Sequence, residues 1–577
     1  MDNDVLIKNG TVMDGTGEPA FRADVIVRND RIEDVGLFPD AEAETVIDVD
    51  GLAVAPGFID VHTHLDFLFP SPRHAEVMEK WARQGVTTIV AGCCGFSPAP
   101  INESSKNEIS TYWNFALPHD GLDFEWSSMG EYLDHLERVG QAFNVAILTG
   151  HNTLRTGVMG AQARFARPDE ISRMKKMLKQ SLEDGSIGLS VGLYYSPGVF
   201  SHTDEVTELS SALTEYNAPI AAHTRGLTQI YDKAVEEIIE VAEKNKIPLQ
   251  ISHHAGGDPT KKKMVGGYDY KLKAMLLLVR LVGKKYFLKY VSEKNAARVN
   301  AVKAINEATE RGVEIGHDNM PWACGPTTVL ALLPPWLFDG GVDKALERLG
   351  EPGIRKRAAY EIKTLIPKWP PWENDWWTDN FMSLSALLTG FRLEKNKRFE
   401  NMSLKNIAKE MRKDPFETIF DLIIEERGKF FIIDGLFDDP IGDEYIAYLL
   451  SDPNCSIMTD IVGADYSAPN PVPYGAFTKV LGYFARDRGV MTQEEAVRRM
   501  TSLPAKQMRL KNRGLIEKGA YADITIFNPQ TVKNRASFKN PHQYSEGIEY
   551  VLINGKVVLE KGKYHSGALA GKVLRRS

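Results

Sequence analysis

Apolar and polar positions alternate along the chain in two regimes. Residues 4 to 55 read as short strands broken by turns: "VLIKNGTVMDGTG", "ADVIVRNDRIEDVG" and "TVIDVDGLAVAPG". The pairs Asn9-Gly10 and Asn29-Asp30 are turn signals between alternating apolar runs. The same texture returns in "ADITIFNP" and "IEYVLINGKVVLEKGKYHSG", with Asn554-Gly555 as a hairpin turn. Two β-rich ends around a long middle predict one small β-sandwich built from both termini, residues 1–55 and 501–577.

Between them, apolar strand-like runs alternate with helix-like segments. "VTTIVAG" follows "HAEVMEKWARQG", "NVAILTG" precedes "PDEISRMKKMLKQSLEDG", and "IPLQISHHAG" follows "YDKAVEEIIEVAEKNK". A strand and then a helix, repeated at this pitch, predict the α/β class, and over residues 56–500 a (β/α)8 TIM barrel. Two stretches look like insertions: the lysine-rich 258–300, and 365–400 with "PKWPPWENDWWTDNF". Long loops on a barrel face serve as lids or contact surfaces. Trp369, Trp372, Trp376 and Trp377 are therefore candidates for an apolar channel, and packing of an added layer or a homo-oligomer contact fits equally.

Composition narrows the function. The chain has 577 residues, 25% of them charged, with a net charge of −8, which offers no electrostatic footprint for nucleic acid. The start, "MDNDVLIKNG", is acidic and lacks the apolar core of a secretory signal. No run reaches the roughly 18 apolar residues of a membrane span; the nearest, "AMLLLVRLVG" at 274–283, is short and contains Arg280, so it predicts a buried or lid helix. Four cysteines in so long a chain are no disulfide framework, and a reducing cytoplasmic compartment is expected.

The chemistry lies at strand ends, where TIM barrels carry their active sites. "PGFIDVHTHLDF" ends a strand on His62 and His64, which point the same way because strand side chains alternate. "VAGCCGFSP" brings Cys93 and Cys94, "IAAHTRG" His223, and "QISHHAG" His253 and His254. Imidazole and thiolate are preferred ligands of zinc and similar ions. A fifth end, "CSIMTDIVGAD", presents Asp460, a carboxylate able to ligate a metal and to accept a proton from its water; Asp465 falls inside the following loop and is the weaker candidate.

With these motifs, "GVTTIVAGCCGFSPAP", "GLSVGLYYSPG" and "RMTSLPAKQMRLKNRGLIEKGAYADITIFNP", the chain resembles the metal-dependent amidohydrolases, and within them the D-aminoacylase (N-acyl-D-amino-acid deacylase) branch. The resemblance implies that His62 and His64 hold a weaker metal position. Cys94 would be the bridging thiolate, with Cys93 where an Asn is usual. His223 and His253 would complete a tight zinc position with Cys94. Of the adjacent pair His253 is the expected ligand, because neighbours on a strand face opposite ways and His254 then packs behind the sheet. Related enzymes bridge their metals with a carboxylated lysine, and "GSIGLSVGLYY" has none.

The implied activity is hydrolysis of a C–N amide bond in a small-molecule substrate by zinc-bound hydroxide, with Asp460 as general base and then acid, and with one tight zinc plus a weaker second position. Three departures concern the substrate: Ala255 replaces a lysine, Met320-Pro321-Trp322 a Tyr-Pro-Tyr, and Val472 an arginine. Tyr195 and Arg225 remain as expected substrate contacts, Arg225 as an anion anchor. The departures also suit a cyclic amide, lactone or aromatic amide lacking an α-carboxylate. A barrel that has lost catalysis and serves as a scaffold is the remaining alternative, against which the intact ligands and acid stand.

Overall fold

The computed structural model describes residues 4–118, 121–255, 285–364, 368–373, 384–438, 440–463 and 469–576. Eight parallel strands form a TIM barrel: Phe58–Asp60, Val86–Ala91, Asn144–Ile147, Leu189–Gly192, Ile220–His223, Leu249–Ile251, Ile315–Asn319 and Cys455–Ile457. The third continues through Leu148 into Thr149–Gly150, which pairs with the fourth. The ring closes past the ends of the eighth and first strands, where Asp460 N donates to His62 O at 3.0 Å and His64 N to Ile461 O at 3.3 Å.

The helices follow the sequence pattern where caps and stripes agree. Pro168–Asp184 starts on proline at its first turn and stops at Gly185, whose φ of 118° carries the chain out of the helix. Tyr231–Asn245 buries Ala234, Val235, Ile238, Ile239, Val241 and Ala242, an apolar stripe at helical spacing laid on the barrel. Residues 74–85 form two short helices, His74–Val77 and Glu79–Ala82, with Met78 at the break.

Both chain ends contribute to the small β-sandwich, whose strands form one nine-stranded sheet. Ala53–Pro56 is its seam: it pairs antiparallel with Ile524–Phe527 and parallel with Asp4–Val12. Val5, Ile7, Val25, Val54, Ile524 and Leu552 share its apolar core. Asn29-Asp30 and Asn554-Gly555 make the expected hairpin turns. Asn9-Gly10 does not. It lies within Asp4–Val12, where the register against Phe21–Arg28 shifts, so an Asn in the left-handed region (φ 62°) forms a bulge.

Of the first expected insertion, residues 258–284 lie outside the described residues. Its described part, residues 285–300, opens a helix, Lys285–Glu310, that leads into the seventh barrel strand. The run 274–283 lies outside the described residues, as do Trp376, Trp377 and Asp465. The 365–400 stretch belongs to a larger excursion between the seventh and eighth strands, starting at residue 320. It contains a four-stranded antiparallel sheet of Cys324–Thr328, Phe431–Gly435, Leu387–Thr389 and Met402–Ser403. Short apolar runs such as "FFIIDG" resemble barrel strands when read alone, which hides such a unit in the sequence. Among the described residues no helix is long and apolar enough to cross a membrane.

Candidate metal centre

Each ligand candidate is placed by its strand end. Beyond Phe58–Asp60 the chain stays beside the second strand: Thr63 N and Oγ1 both donate to Val90 O, at 3.1 and 3.0 Å. Thr63 is thereby turned outward, and His62 and His64 share the inner side with ring centroids 5.5 Å apart. The second strand ends in Gly92-Cys93-Cys94-Gly95, a tight turn with Gly92 at φ 79° and Cys94 at φ 53°. A Cβ on Gly192 would lie 2.0 Å from Cys94 O, so only glycine lets the fourth strand approach this turn. Three of the site's side chains, Cys94, His253 and Asp460, stand on backbone with positive φ (53°, 38° and 47°). Strain of this kind in non-glycine residues gathers at functional sites.

These side chains converge at the barrel mouth. Cys94 Sγ lies 3.3 Å from His62 Nε2, 3.4 Å from His223 Nδ1 and 3.7 Å from His253 Nε2. Asp460 Oδ1 is 3.5 Å from His62 Nε2 and 3.3 Å from His64 Nε2. Two overlapping triads, His62/His64/Cys94 and Cys94/His223/His253, each bring one donor atom per residue within 4.8 Å of the others. Cys94 belongs to both.

The spacing and the electrostatics fit a metal ion. With zinc–sulfur and zinc–nitrogen bonds of about 2.3 and 2.05 Å, a tetrahedral site separates sulfur from nitrogen by about 3.6 Å, close to the observed contacts. Burial pushes the Cys94 thiol well above its ordinary range, and Asp460 pushes it further, so a bound cation is what would stabilise the thiolate. Burial lowers His223 well below the usual imidazole range and His253 to about 4, leaving both neutral with lone pairs to donate. Burial lowers His64 as well, despite Asp460 beside it. Burial alone would raise Asp460, but His64, His62 and His253 outweigh it and hold the carboxyl below its ordinary value, in the form that accepts a proton.

The remaining expected residues divide. Tyr195 is on the site wall, its ring 4.7 Å from that of His223 and 5.4 Å from Trp113, with its hydroxyl 3.1 Å from Thr327 Oγ1 on the inserted sheet. His254 points away behind the sheet, hydrogen-bonded through Nδ1 to the Tyr231 hydroxyl. Arg225 is not available as an anion anchor. It is fully buried, paired with Glu237 through Nε at 3.1 Å and Nη2 at 2.9 Å, and also bonded to the Val199 and Ser201 carbonyls. The strand ends at His223, so the period of two that would have aimed Arg225 inward no longer applies. Trp372 packs on His202 at 4.4 Å and lies beneath the Arg225 guanidinium at 5.6 Å.

Two carboxylates and one cation near the mouth are not evident from the sequence pattern. Asp318, on the seventh strand, lies 3.7 Å from His62 Nδ1. Asp60 accepts from Thr459 N at 3.0 Å and Trp81 Nε1 at 2.8 Å, tying the first strand to the residue before Asp460; burial lifts it to about 6. Lys479, 8% exposed, sits 4.3 Å over the Trp322 ring and 2.8 Å from Asp443. Asp60, the last residue of the first strand, and Asp318, the next to last of the seventh, share the strand-end position that singles out the ligands.

Comparison with known proteins gives the same picture across the whole chain. The profile of the amidohydrolase family matches residues 45–330 and 400–559. A D-aminoacylase from Alcaligenes xylosoxydans xylosoxydans is 29% identical over 578 residues, covering 100% of this chain and 98% of the relative. An N-acyl-D-glutamate deacylase from the same organism is 27% identical, covering 99% and 96%. Among solved structures, an N-acyl-D-glutamate deacylase from Bordetella bronchiseptica, complexed with zinc and a phosphonate that mimics the tetrahedral intermediate, superposes with a TM-score of 0.74 at 26% identity over 100% of both chains. A D-aminoacylase with a binuclear metal centre superposes with a TM-score of 0.73 at 28% identity over 99% of both chains. Family profile, full-length relatives and barrel agree: the chain belongs to the amidohydrolase family and is a metal-dependent hydrolase of carbon–nitrogen bonds.

Proposed function

We propose that the protein is a zinc-dependent deacylase that cleaves the amide bond of an N-acylated amine, of the N-acyl-D-amino-acid type. The observation that carries this reading is the position of Cys94 Sγ, within 3.7 Å of three imidazole nitrogens, with the Asp460 carboxylate across the same cluster. Cys94, His223 and His253 would hold the tight ion, and His62 and His64, with Asp460, a weaker second position. When bound, zinc lowers the pKa of water toward about 7 and polarises the amide carbonyl.

The chain's own residues supply the proton traffic and the shape. Asp460, ionised and facing His62 and His64, takes the proton from the attacking water and returns it to the leaving nitrogen as the C–N bond breaks. Its backbone N–H is bonded to His62 O, so the base and the first ligand strand keep a fixed separation. Trp113, Tyr195 and Phe96 stack into a wall against His64 and His223, which excludes water from one side of the centre and favours an apolar acyl chain there.

A second reading, a cyclic or uncharged amide or a lactone, is favoured by one specific arrangement. Arg225, expected as the anion anchor, is closed off by Glu237, and the buried Lys479 is matched by Asp443, so both cations are neutralised. Turnover of N-acetyl-D-amino acids, their L enantiomers, a dihydropyrimidinone and an acyl anilide by the zinc-loaded protein separates the two. The deacylase reading expects the D series to lead the other three by at least about tenfold in kcat/KM, the equivalent of about 1.4 kcal/mol in transition-state binding. Preference for the dihydropyrimidinone or the anilide would replace it with the second reading.

A further inference from the structure

Asp318 is a buried carboxylate with no part in the ligand set, yet it touches both of its halves. It lies near the end of the seventh barrel strand, Ile315–Asn319, and its side chain is 1% exposed. A single oxygen, Oδ1, lies 3.7 Å from His62 Nδ1 and accepts a hydrogen bond of 2.7 Å from the backbone N–H of His253. The other oxygen, Oδ2, accepts from Gln250 Nε2 at 2.9 Å. His62 belongs to one triad and His253 to the other, and they have no covalent neighbour in common.

Each contact constrains something the centre needs. On His62 the two ring nitrogens face different groups: Nε2 looks toward Cys94 Sγ and Asp460, and Nδ1 toward Asp318. A carboxylate facing Nδ1 at 3.7 Å electrostatically favours the tautomer with the proton there, which leaves the Nε2 lone pair free. On His253 the constraint is on the backbone. A non-glycine residue at φ 38° is strained, and its N–H held at 2.7 Å keeps the turn that aims the ring at Cys94.

We infer that Asp318 is a positioning residue that fixes the His62 tautomer and the His253 turn through one carboxylate, and so sets the spacing of the two metal positions. This rests on the reading of the site as a metal centre. Asp318→Asn separates charge from shape. The asparagine carbonyl can still accept from His253 N–H, and its NH2 can donate to Gln250 Oε1, which has no hydrogen-bond partner in the present arrangement, after the glutamine amide turns over.

The test is competition for Zn2+ between the protein and a chromophoric chelator, with the sulfur-to-metal charge-transfer band of the Co2+ form recorded alongside. Loss of an outer carboxylate partner of a ligating histidine costs about 10- to 100-fold in metal affinity. D318N is expected to bind Zn2+ weaker by that factor, to shift the Co2+ band, and to lower kcat with KM nearly unchanged. Equal affinity together with an unchanged band would overturn the inference while leaving the deacylase reading intact. Wild-type protein that takes up no Zn2+ would overturn both. If D318N does not fold, the wild-type protein still decides the matter: a long-range nitrogen–proton spectrum of 15N-histidine-labelled, Zn2+-loaded protein is expected to show His62 protonated at Nδ1 and metal-shifted at Nε2. The reverse assignment would overturn the inference.

Discussion

Asp460→Asn is expected to lower kcat by roughly 10² to 10⁴-fold, the range a general acid–base group supplies, while the protein keeps its tight metal. The triad of Cys94, His223 and His253, proposed as the tight site, does not include Asp460, so removing its charge leaves that set whole. Asparagine is the informative replacement because it keeps the shape of the side chain and because Asp460 has φ 47°, a left-handed conformation that asparagine adopts more readily than alanine. The carboxylate also faces His62 and His64 at 3.5 and 3.3 Å, so the weaker metal position should lose affinity together with the proton shuttle. Steady-state kinetics beside metal content measured on the same sample check this. Wild-type turnover in D460N would remove Asp460 from the chemistry; loss of all metal would show that it belongs to the tight site.

Cys94→Ala is expected to have a larger effect on the metal than any single histidine change, because Cys94 is common to both triads. An outer-shell partner already costs about 10- to 100-fold in affinity, so loss of a direct, shared thiolate should exceed about a hundredfold and take turnover with it. The fold should survive. The barrel around Cys94 is held by the strand ladder and by contacts such as Asn152 N to Gly95 O at 2.7 Å, which do not use the thiol. Metal content after dialysis, read beside the far-ultraviolet dichroism, separates loss of metal from loss of structure. C94A that retains stoichiometric zinc would assign the metal to other ligands.

Much of this architecture is legible in the chain. The alternation of "PGFIDVHTHLDF" places His62 and His64 on one side; the expected opposition of His253 and His254 is also met, but through a turn with His253 at φ 38° beyond the strand that ends at Ile251. At His62 and His64 the pattern holds because Thr63 N–H, bonded to Val90 O, keeps the chain alongside the second strand. At Arg225 it fails: the chain turns after His223, and a guanidinium two residues on meets Glu237 instead of substrate. Asn9-Gly10 and Asn554-Gly555 are the same dipeptide with two outcomes, a bulge and a hairpin. The difference lies in the partner of the next residues: after Asn9-Gly10 the strand continues along a neighbour it is already paired with, whereas after Asn554-Gly555 the chain folds back on its own preceding strand.

The unit between the seventh and eighth strands is hidden because its strands are short and its pairings run between residues as distant as Cys324 and Gly435. Asp318 is missed for a related reason. In "GHDN" the pattern allows His317 and Asp318 equally to point inward, and only the register of the closed barrel decides that Asp318 does while His317 faces Asp452 on the outside.

The proposed mechanism requires above all that Cys94, His62, His64, His223, His253 and Asp460 share one metal centre. Zinc-edge X-ray absorption of the purified protein measures this directly. A shared centre predicts one sulfur scatterer at about 2.3 Å together with nitrogen and oxygen neighbours near 2.0 to 2.2 Å. A first shell of nitrogen and oxygen alone, with no sulfur, would contradict it.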